Sequence, residues 1–315
     1  MPGFELIGEE EKAAVIDIFE NQGGVLFAHG FDALRKGRYQ VREFEQACAS
    51  KFGAKHALAV TSGTAALVVA LKALGVKPGD EVITQAFTFV AAVESILAIG
   101  AVPVIVNIDE SLNMDPLALE EKINIKTKVI MPVHMLGMPA DMSAIKNIAN
   151  KYNLKIVEDN CEAIGATLGN DYLGTIGDIG VMSFDHGKAL TTGEGGMLLC
   201  HSKGLDEIAR EYHDHGHQNN PTLPRGRDTK RLVGFNYRMT EIQAAIGKVQ
   251  LRKLDRLLVE NAKRYDAVDA LLSSKFQQRK KIKGSVGQKD CYIFRVPLRE
   301  EREKIIELLF EKGFG

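Results

Sequence analysis

Apolar residues in this chain come in short unbroken runs, and each run is followed by a stretch in which they recur every three or four positions. HALAV (56–60), EVITQ (81–85), VPVIVNID (102–109), TKVIMPVH (127–134), KIVED (155–159), GVMSF (180–184) and GGMLLC (195–200) read as strands. Short, nearly continuous apolar runs suit strands covered on both faces. Between them, TSGTAALVVALKALG (61–75), FVAAVESILAIG (89–100), LALEEKI opened by Pro116, and MSAIKNIANKYN (142–153) read as helices. Two more are expected upstream, at 8–20, with acids in its first turn, and at 41–52. Strand alternating with helix predicts an α/β fold, a mainly parallel seven-stranded sheet flanked by helices.

After about residue 250 the pattern changes. LRKLDRLLVENAKRYDAVDALL (251–272) reads as a long amphipathic helix, followed by a basic stretch, a strand CYIFRVPL (291–298) and a helix REEREKIIELLFEKG (299–313). The expected organisation is a large domain over 1–250, with a helical N-terminal segment, and a smaller α+β domain over 251–315. The last helix reaches Phe314-Gly315 without a returning strand, so the smaller domain is expected to be incomplete.

Ligands of parallel sheets collect at the carboxyl ends of the strands. The polar residues collect there too: Thr61–Thr64, Gln85–Phe89, His134, Asp159–Glu162 and Ser183–Lys188. TSGTAAL places small residues at a helix N-terminus, where free backbone N–H groups favour an anion. It reads as a phosphate cradle or as an N-cap formed by Ser62 or Thr64. VEDNCEA ends a strand in adjacent acids. Such an acid can act as a base, hold a proton on a ring nitrogen, or cap a loop. A metal is disfavoured because no partner ligand shares the pattern. SFDHGKALTTGEGG sets Lys188 at a strand end, where a buried ammonium is costly. A lysine that forms a Schiff base escapes that cost, and the glycines let backbone approach a flat ligand. HDHGH (213–217) reads as polar loop histidines rather than a metal site. GTIGDIG (174–180) lacks the spacing of a dinucleotide loop.

Composition narrows the class. A formal net charge of −1 over 315 residues offers no electrostatic case for nucleic acid or an anionic membrane. The four cysteines are far apart, which fits reduced thiols in a cytoplasmic protein rather than a disulfide framework. No signal peptide or membrane-spanning run is expected.

A phosphate cradle, a strand-end acid and a strand-end lysine, in that order, resemble the fold-type I enzymes that use pyridoxal 5′-phosphate (PLP). SGTAAL, TFVAAVESI, PVHMLGMPADM, VEDNCEAIGA, SFDHGKALTTGEGG and GFNYRMTEIQAAIG are together similar to the DegT/DnrJ/EryC1/StrS family of sugar aminotransferases. The likeness runs from the N-terminus to about residue 255 and fades beyond. It implies that Lys188 holds the cofactor covalently and that Asp159 pairs with its ring nitrogen. It implies that Phe89 stacks on the ring, and that Glu162, where the family more often has Gln or His, lies near the ring hydroxyl. Gly63, Thr64 and Ser183 would bind the phosphate. Asn236 would reach it from a neighbouring subunit, implying a homodimer with shared active sites, and Arg238 would bind a substrate anion or brace its loop. The implied reaction moves an amino group from glutamate to a keto or aldehyde sugar.

A dehydratase branch of the family carries histidine in place of the lysine, and His186 stands two residues away. The register of SF…K…TTGEGG nevertheless places Lys188 at the position, so transamination is expected. A PLP- or pyridoxamine-dependent dehydratase, or a non-catalytic protein of the same fold, is the alternative. The opening MPGFELIG and the HDHGH segment are similar to transaminases acting on an 8-oxo form of the octulosonate sugar of lipopolysaccharide. A nucleotide-linked keto-hexose is the other sugar class implied.

Overall fold

The computed structural model describes residues 1–220, 222–223 and 227–314. In chain order the large unit runs α1 (Glu9–Asn21), α2 (Gln40–Phe52), β1 (His56–Val60), α3 (Gly63–Ala73), β2 (Glu81–Gln85), α4 (Ala91–Ala98), β3 (Val102–Val106) and α5 (Pro116–Lys122). It continues through β4 (Thr127–Met131), α6 (Met142–Tyr152), β5 (Lys155–Asp159), the two-residue strands β6 (Thr167–Leu168) and β7 (Asp171–Tyr172), β8 (Ile179–Ser183), β9 (Gly196–Cys200) and α7 (Lys203–His213). The seven expected strands form one sheet in the order β1-β9-β8-β5-β4-β2-β3. Only β9 runs against its neighbours, while the β8, β5, β4, β2 and β3 pairings are all parallel. The carboxyl ends of β1, β2, β4, β5 and β8 therefore share one edge.

Period-two alternation sorts the strand residues into two cores. Leu58, Val60, Val82, Val129, Val157 and Val181 pack with the nearly all-apolar α3, with α4 and with α7. Their chain neighbours face the other way. Ala57, Ala59 and Met182 meet α2 and the helix α8 (Glu241–Leu272), and Ile83, Ile130 and Ile156 meet α5 and α6. Pro103 sits in β3, the sheet edge, where a missing N–H costs no ladder bond. The helices begin where the chain offers caps. Ser62 Oγ accepts from Ala65 N at 3.1 Å, Asp141 accepts from Ala144 N at 3.0 Å, and Pro116 follows Asp115, whose side chain accepts from Leu117 N.

Several boundaries differ from expectation. The long helix α8 begins at Glu241, ten residues before the expected start, and runs to Leu272. Thr240 and Gln243 form a capping box there, and the buried Ala244, Ala245 and Val249 continue the apolar stripe upstream. The division expected at residue 250 thus falls inside one continuous helix. The α7 helix and the β6–β7 hairpin were not anticipated. CYIFRVPL yields only β12 (Phe294–Arg295), paired with β10 (Gln277–Gln278). Between them β11 (Ser285–Val286) leaves that pair and adds to β6, so the C-terminal segment is stitched onto the large unit. The final helix α9 (Arg299–Glu311) has no buried residue. No described helix is long and apolar enough to cross a membrane, and all four cysteines are free thiols.

Gly180, in the middle of β8, lies so close to the Gly174 carbonyl that any Cβ would collide with backbone on a neighbouring segment. Gly180→Ala is expected to destabilise the fold by about 1–3 kcal/mol through overpacking that backbone cannot relieve. Urea denaturation with unchanged stability would show that the approach is not tight.

Candidate active site

A cavity of about 410 Å³ opens at the sheet's carboxyl edge, between the N-terminus of α3 and the loops after β5 and β8. It is lined by seven of the eight predicted site residues: Gly63, Thr64, Phe89, Asp159, Glu162, Ser183 and Lys188. Ser62, expected as an N-cap, lines it too, as do Cys161, Asp185 and Glu194, which lie within the same motifs but were given no role from the sequence. Asn236 does not line it. That residue is exposed and bridges to Asp214 through backbone.

The two adjacent acids of VED separate because they end a strand. Glu158 shares the parity of Ile156 and turns to the face covered by α5 and α6. Asp159 shares that of Val157 and turns toward α3. Glu158 is fully buried and is surrounded by donors. The amides of Gly174, Ile176 and Gly177 reach it at 2.9, 2.6 and 2.5 Å. His134 Nε2 lies 3.0 Å from it. His134 Nδ1 accepts from the Ala140 amide at 3.1 Å, so the ring donates to Glu158 through Nε2. Burial alone would raise the Glu158 carboxyl, but the His134 bond and the loop amides outweigh it and hold its pKa low. His134 and the GTIGDIG loop, both noticed in the sequence, thus serve a buried acid rather than the cavity.

Asp159 is buried with far less support. Its Oδ1 accepts from the Cys161 amide at 3.1 Å. Burial pushes its carboxyl above the usual range, the Cys161 bonds pull the other way, and the Glu162 charge adds to the rise. Burial also drives the Cys161 thiol well up, so it sits there as a neutral group.

Lys188 stands on the loop between β8 and β9 rather than on a strand. Its amide donates to the Asp185 carbonyl at 3.0 Å and its own carbonyl accepts from Gly3 N at 2.8 Å. The loop is closed behind it by Phe184 N to Gly195 O at 2.9 Å and Thr192 N to Phe184 O at 3.0 Å. Thr191 Oγ1 accepts from Gly193 N at 3.0 Å. The Thr-Thr-Gly-Glu-Gly-Gly run is the clasp of the lysine loop. Lys188 Nζ lies 3.7 Å from Glu162 Oε1, with its side chain about a quarter exposed. His186 turns away and stacks on Phe4, ring centroids 4.6 Å apart. Lysine, not this histidine, therefore lines the cavity.

At the opposite wall, Gly63 opens α3. A Cβ there would stand 2.8 Å from Ser183 Cβ and 3.1 Å from Cys161 Sγ, so the first helical turn is pressed onto the β8 end. Its first-turn N–H groups and the Ser183 hydroxyl meet in one corner of the cavity, an arrangement suited to an anion. Phe89, 66% exposed, stands at the mouth. An amine, a buried acid, an anion corner and an aromatic lip in one cavity fit PLP, an aldehyde-bearing aromatic cation with a phosphate. Arg238, by contrast, is paired with the buried Asp214. Of HDHGH, His213 is buried at the end of α7, where desolvation lowers its pKa to about 3.

Comparison with known proteins agrees with this geometry. The chain is 44% identical over 223 residues, 70% of its length, to the GDP-perosamine synthase of Caulobacter vibrioides (strain ATCC 19089 / CIP 103742 / CB 15), and spans 58% of that relative. The aminotransferase from Psychrobacter cryohalolentis superimposes with a TM-score of 0.86 at 32% identity, covering 98% of this chain and 81% of that one. The Spr1654 protein of Streptococcus pneumoniae in its PLP form superimposes at 0.84 with 28% identity, over 98% and 81% of the two chains. The model of the DegT/DnrJ/EryC1/StrS aminotransferase family, whose enzymes are PLP-dependent, matches residues 24–315. With the lysine, the buried acid and the anion corner gathered in one cavity, the chain belongs to the DegT/DnrJ/EryC1/StrS aminotransferase family.

Proposed function

We propose that the protein is a PLP-dependent sugar aminotransferase, in which the amino group of glutamate passes to a keto or aldehyde sugar. The carrying observation is Lys188 Nζ and the buried Asp159 carboxylate lining one cavity at the sheet edge. When bound, PLP supplies a carbonyl that takes up amino groups and a ring that accepts electrons as a carbon–hydrogen bond breaks.

Lys188 Nζ is assigned the covalent anchor and, once released, the base that moves a proton beside the ring. Asp159 is assigned to hold a proton on the ring nitrogen. Burial makes this carboxylate a strong electrostatic partner for a cation. Glu162, with Oε1 3.7 Å from Lys188 Nζ, is assigned a place near the ring hydroxyl. The amides of Gly63 and Thr64, with the Thr64 and Ser183 hydroxyls, would hold the phosphate, and Phe89 would cover the ring. Residues 1–250 would carry this site and 251–315 the smaller unit.

Asn236 is exposed and outside the cavity of its own chain. We assign it to the phosphate of a second copy, which makes the working form a homodimer. For the acceptor, the perosamine synthase relative supports a nucleotide-linked keto sugar. The opening segment and HDHGH support an octulosonate-type aldehyde and a place in lipopolysaccharide synthesis. A cytoplasmic location belongs to the same proposal.

Borohydride reduction of the PLP-loaded protein and peptide mapping should place a pyridoxyl group on Lys188, and label on another lysine or on none refutes the assignment. Lys188→Arg should lower kcat by about 10³-fold or more, and Asp159→Asn by about 10²–10³-fold. Either variant with wild-type turnover removes that residue from the chemistry. Gly63→Ala should weaken phosphate-end binding, read as a rise of at least about tenfold in the PLP dissociation constant. A fluorescence titration that leaves it unchanged contradicts the anion corner.

A further inference from the structure

Arg279 lies outside the cavity, yet two loops of the large unit meet at its guanidinium. Nε and Nη2 both donate to the Ser111 carbonyl, Nε at 2.9 Å. Nη1 donates to the Met135 and Leu136 carbonyls at 3.0 and 3.3 Å. Those carbonyls belong to the loops after β3 and β4. The rest of the segment follows the same loops. Lys280 N donates to Glu110 O at 3.0 Å and Gln288 N to Gly137 O at 2.9 Å. Gly287 backs so tightly onto Met138 that a side chain there would collide with it.

What this clamp holds is an unfavourable turn. Leu136 is in the left-handed region, φ 52° and ψ 50°, a conformation that a residue with a branched side chain adopts only when its surroundings impose it. Its N–H donates to Glu162 Oε2 at 3.1 Å. The other oxygen of that carboxylate lies 3.7 Å from Lys188 Nζ. Glu162 is a long, partly exposed side chain, so an amide on one oxygen removes much of its rotamer freedom.

We propose that Arg279 is a positioning residue for the lysine site: by clamping the Ser111, Met135 and Leu136 carbonyls it holds the Leu136 amide on Glu162, and so keeps that carboxylate beside Lys188. This rests on the reading of Lys188 as the cofactor lysine. A guanidinium suits the task because its planar fork reaches several carbonyls at once, whereas an ammonium on a flexible stem does not. The C-terminal segment thereby acts on the chemistry without entering the cavity.

The test compares Arg279→Lys, Glu162→Ala and the double variant in the full chain. Amide hydrogen exchange at Leu136, measured with and without PLP, should quicken by about tenfold or more in each single variant and no further in the double, as loss of a hydrogen bond to a charged group requires. Protection of α3 should stay at the wild-type level. The visible absorption band of the PLP-loaded protein should move in the same direction in Arg279→Lys and Glu162→Ala. Unchanged Leu136 exchange in Arg279→Lys, or additive effects in the double variant, overturns the proposal. If Arg279→Lys loses protection throughout, Arg279→Gln, which keeps two donors, serves the same comparison and is judged by the same outcomes. The exchange readout without PLP needs no cofactor. A wild-type chain that takes no pyridoxyl label at Lys188 would therefore defeat the functional reading while leaving the clamp to stand or fall on exchange alone.

Discussion

The buried carboxylate of Glu158 is the constraint around which the carboxyl edge of the sheet is organised. An ionised acid with no water must be satisfied from all sides, or its desolvation undermines the fold. Here three loop amides and a histidine do so. Those donors come from the loop after β4 and from the loop that returns to β8. Satisfying one acid therefore ties together three neighbouring strands at the end where the cavity opens. Asp159 follows directly in the chain, so its direction is set by the same anchor.

The contrast between the two acids separates structure from chemistry. Glu158 is held ionised by its neighbours and has no capacity left for a ligand. Asp159 is equally withdrawn from water but is supported mainly by Cys161, and burial raises its proton affinity. Such an imbalance is tolerable where a cationic ligand group completes the site. The Lys188 loop shows the same economy. Its backbone is fastened by its own turn, by the Thr191–Gly195 clasp and by Gly3, while the amine reaches into the cavity beside Glu162.

Through Leu251, Leu254 and Leu257 the helix α8 shares the apolar core of the large unit, whereas the segment beyond it is fastened to that unit by polar contacts. The β11 pairing with β6, Arg279 on three carbonyls and Gln288 on Gly137 are directional bonds. They act on loops that carry the site, in particular the Leu136 turn. No residue of α9 is buried, so that helix adds little to the attachment, which rests on α8 and on the segment between α8 and β12.

The seven strands, their alternation with helices and the gathering of polar residues at one edge were legible in the sequence. Burial on both faces writes itself as continuous apolar runs, and a parallel sheet puts all strand ends on one side. That both acids and the small-residue helix start lie at strand ends was legible as well, while Lys188 proves to stand on the loop between β8 and β9. The early start of α8 is not legible because its upstream stripe is made of small residues, Ala244, Ala245 and Gly247, and α7 is not because its buried face includes Asp206, Glu211 and His213. CYIFRVPL yields only two paired residues because strand propensity finds no full partner ladder there. Which acid faces the cavity, how His134 is used, and that Arg279 reaches the Leu136 turn depend on contacts between residues 24 to 168 positions apart. Local pattern determined the elements and the edge where they meet. Only the packed chain decided which polar groups there satisfy one another and which remain available, because that is settled by distances the linear order does not contain.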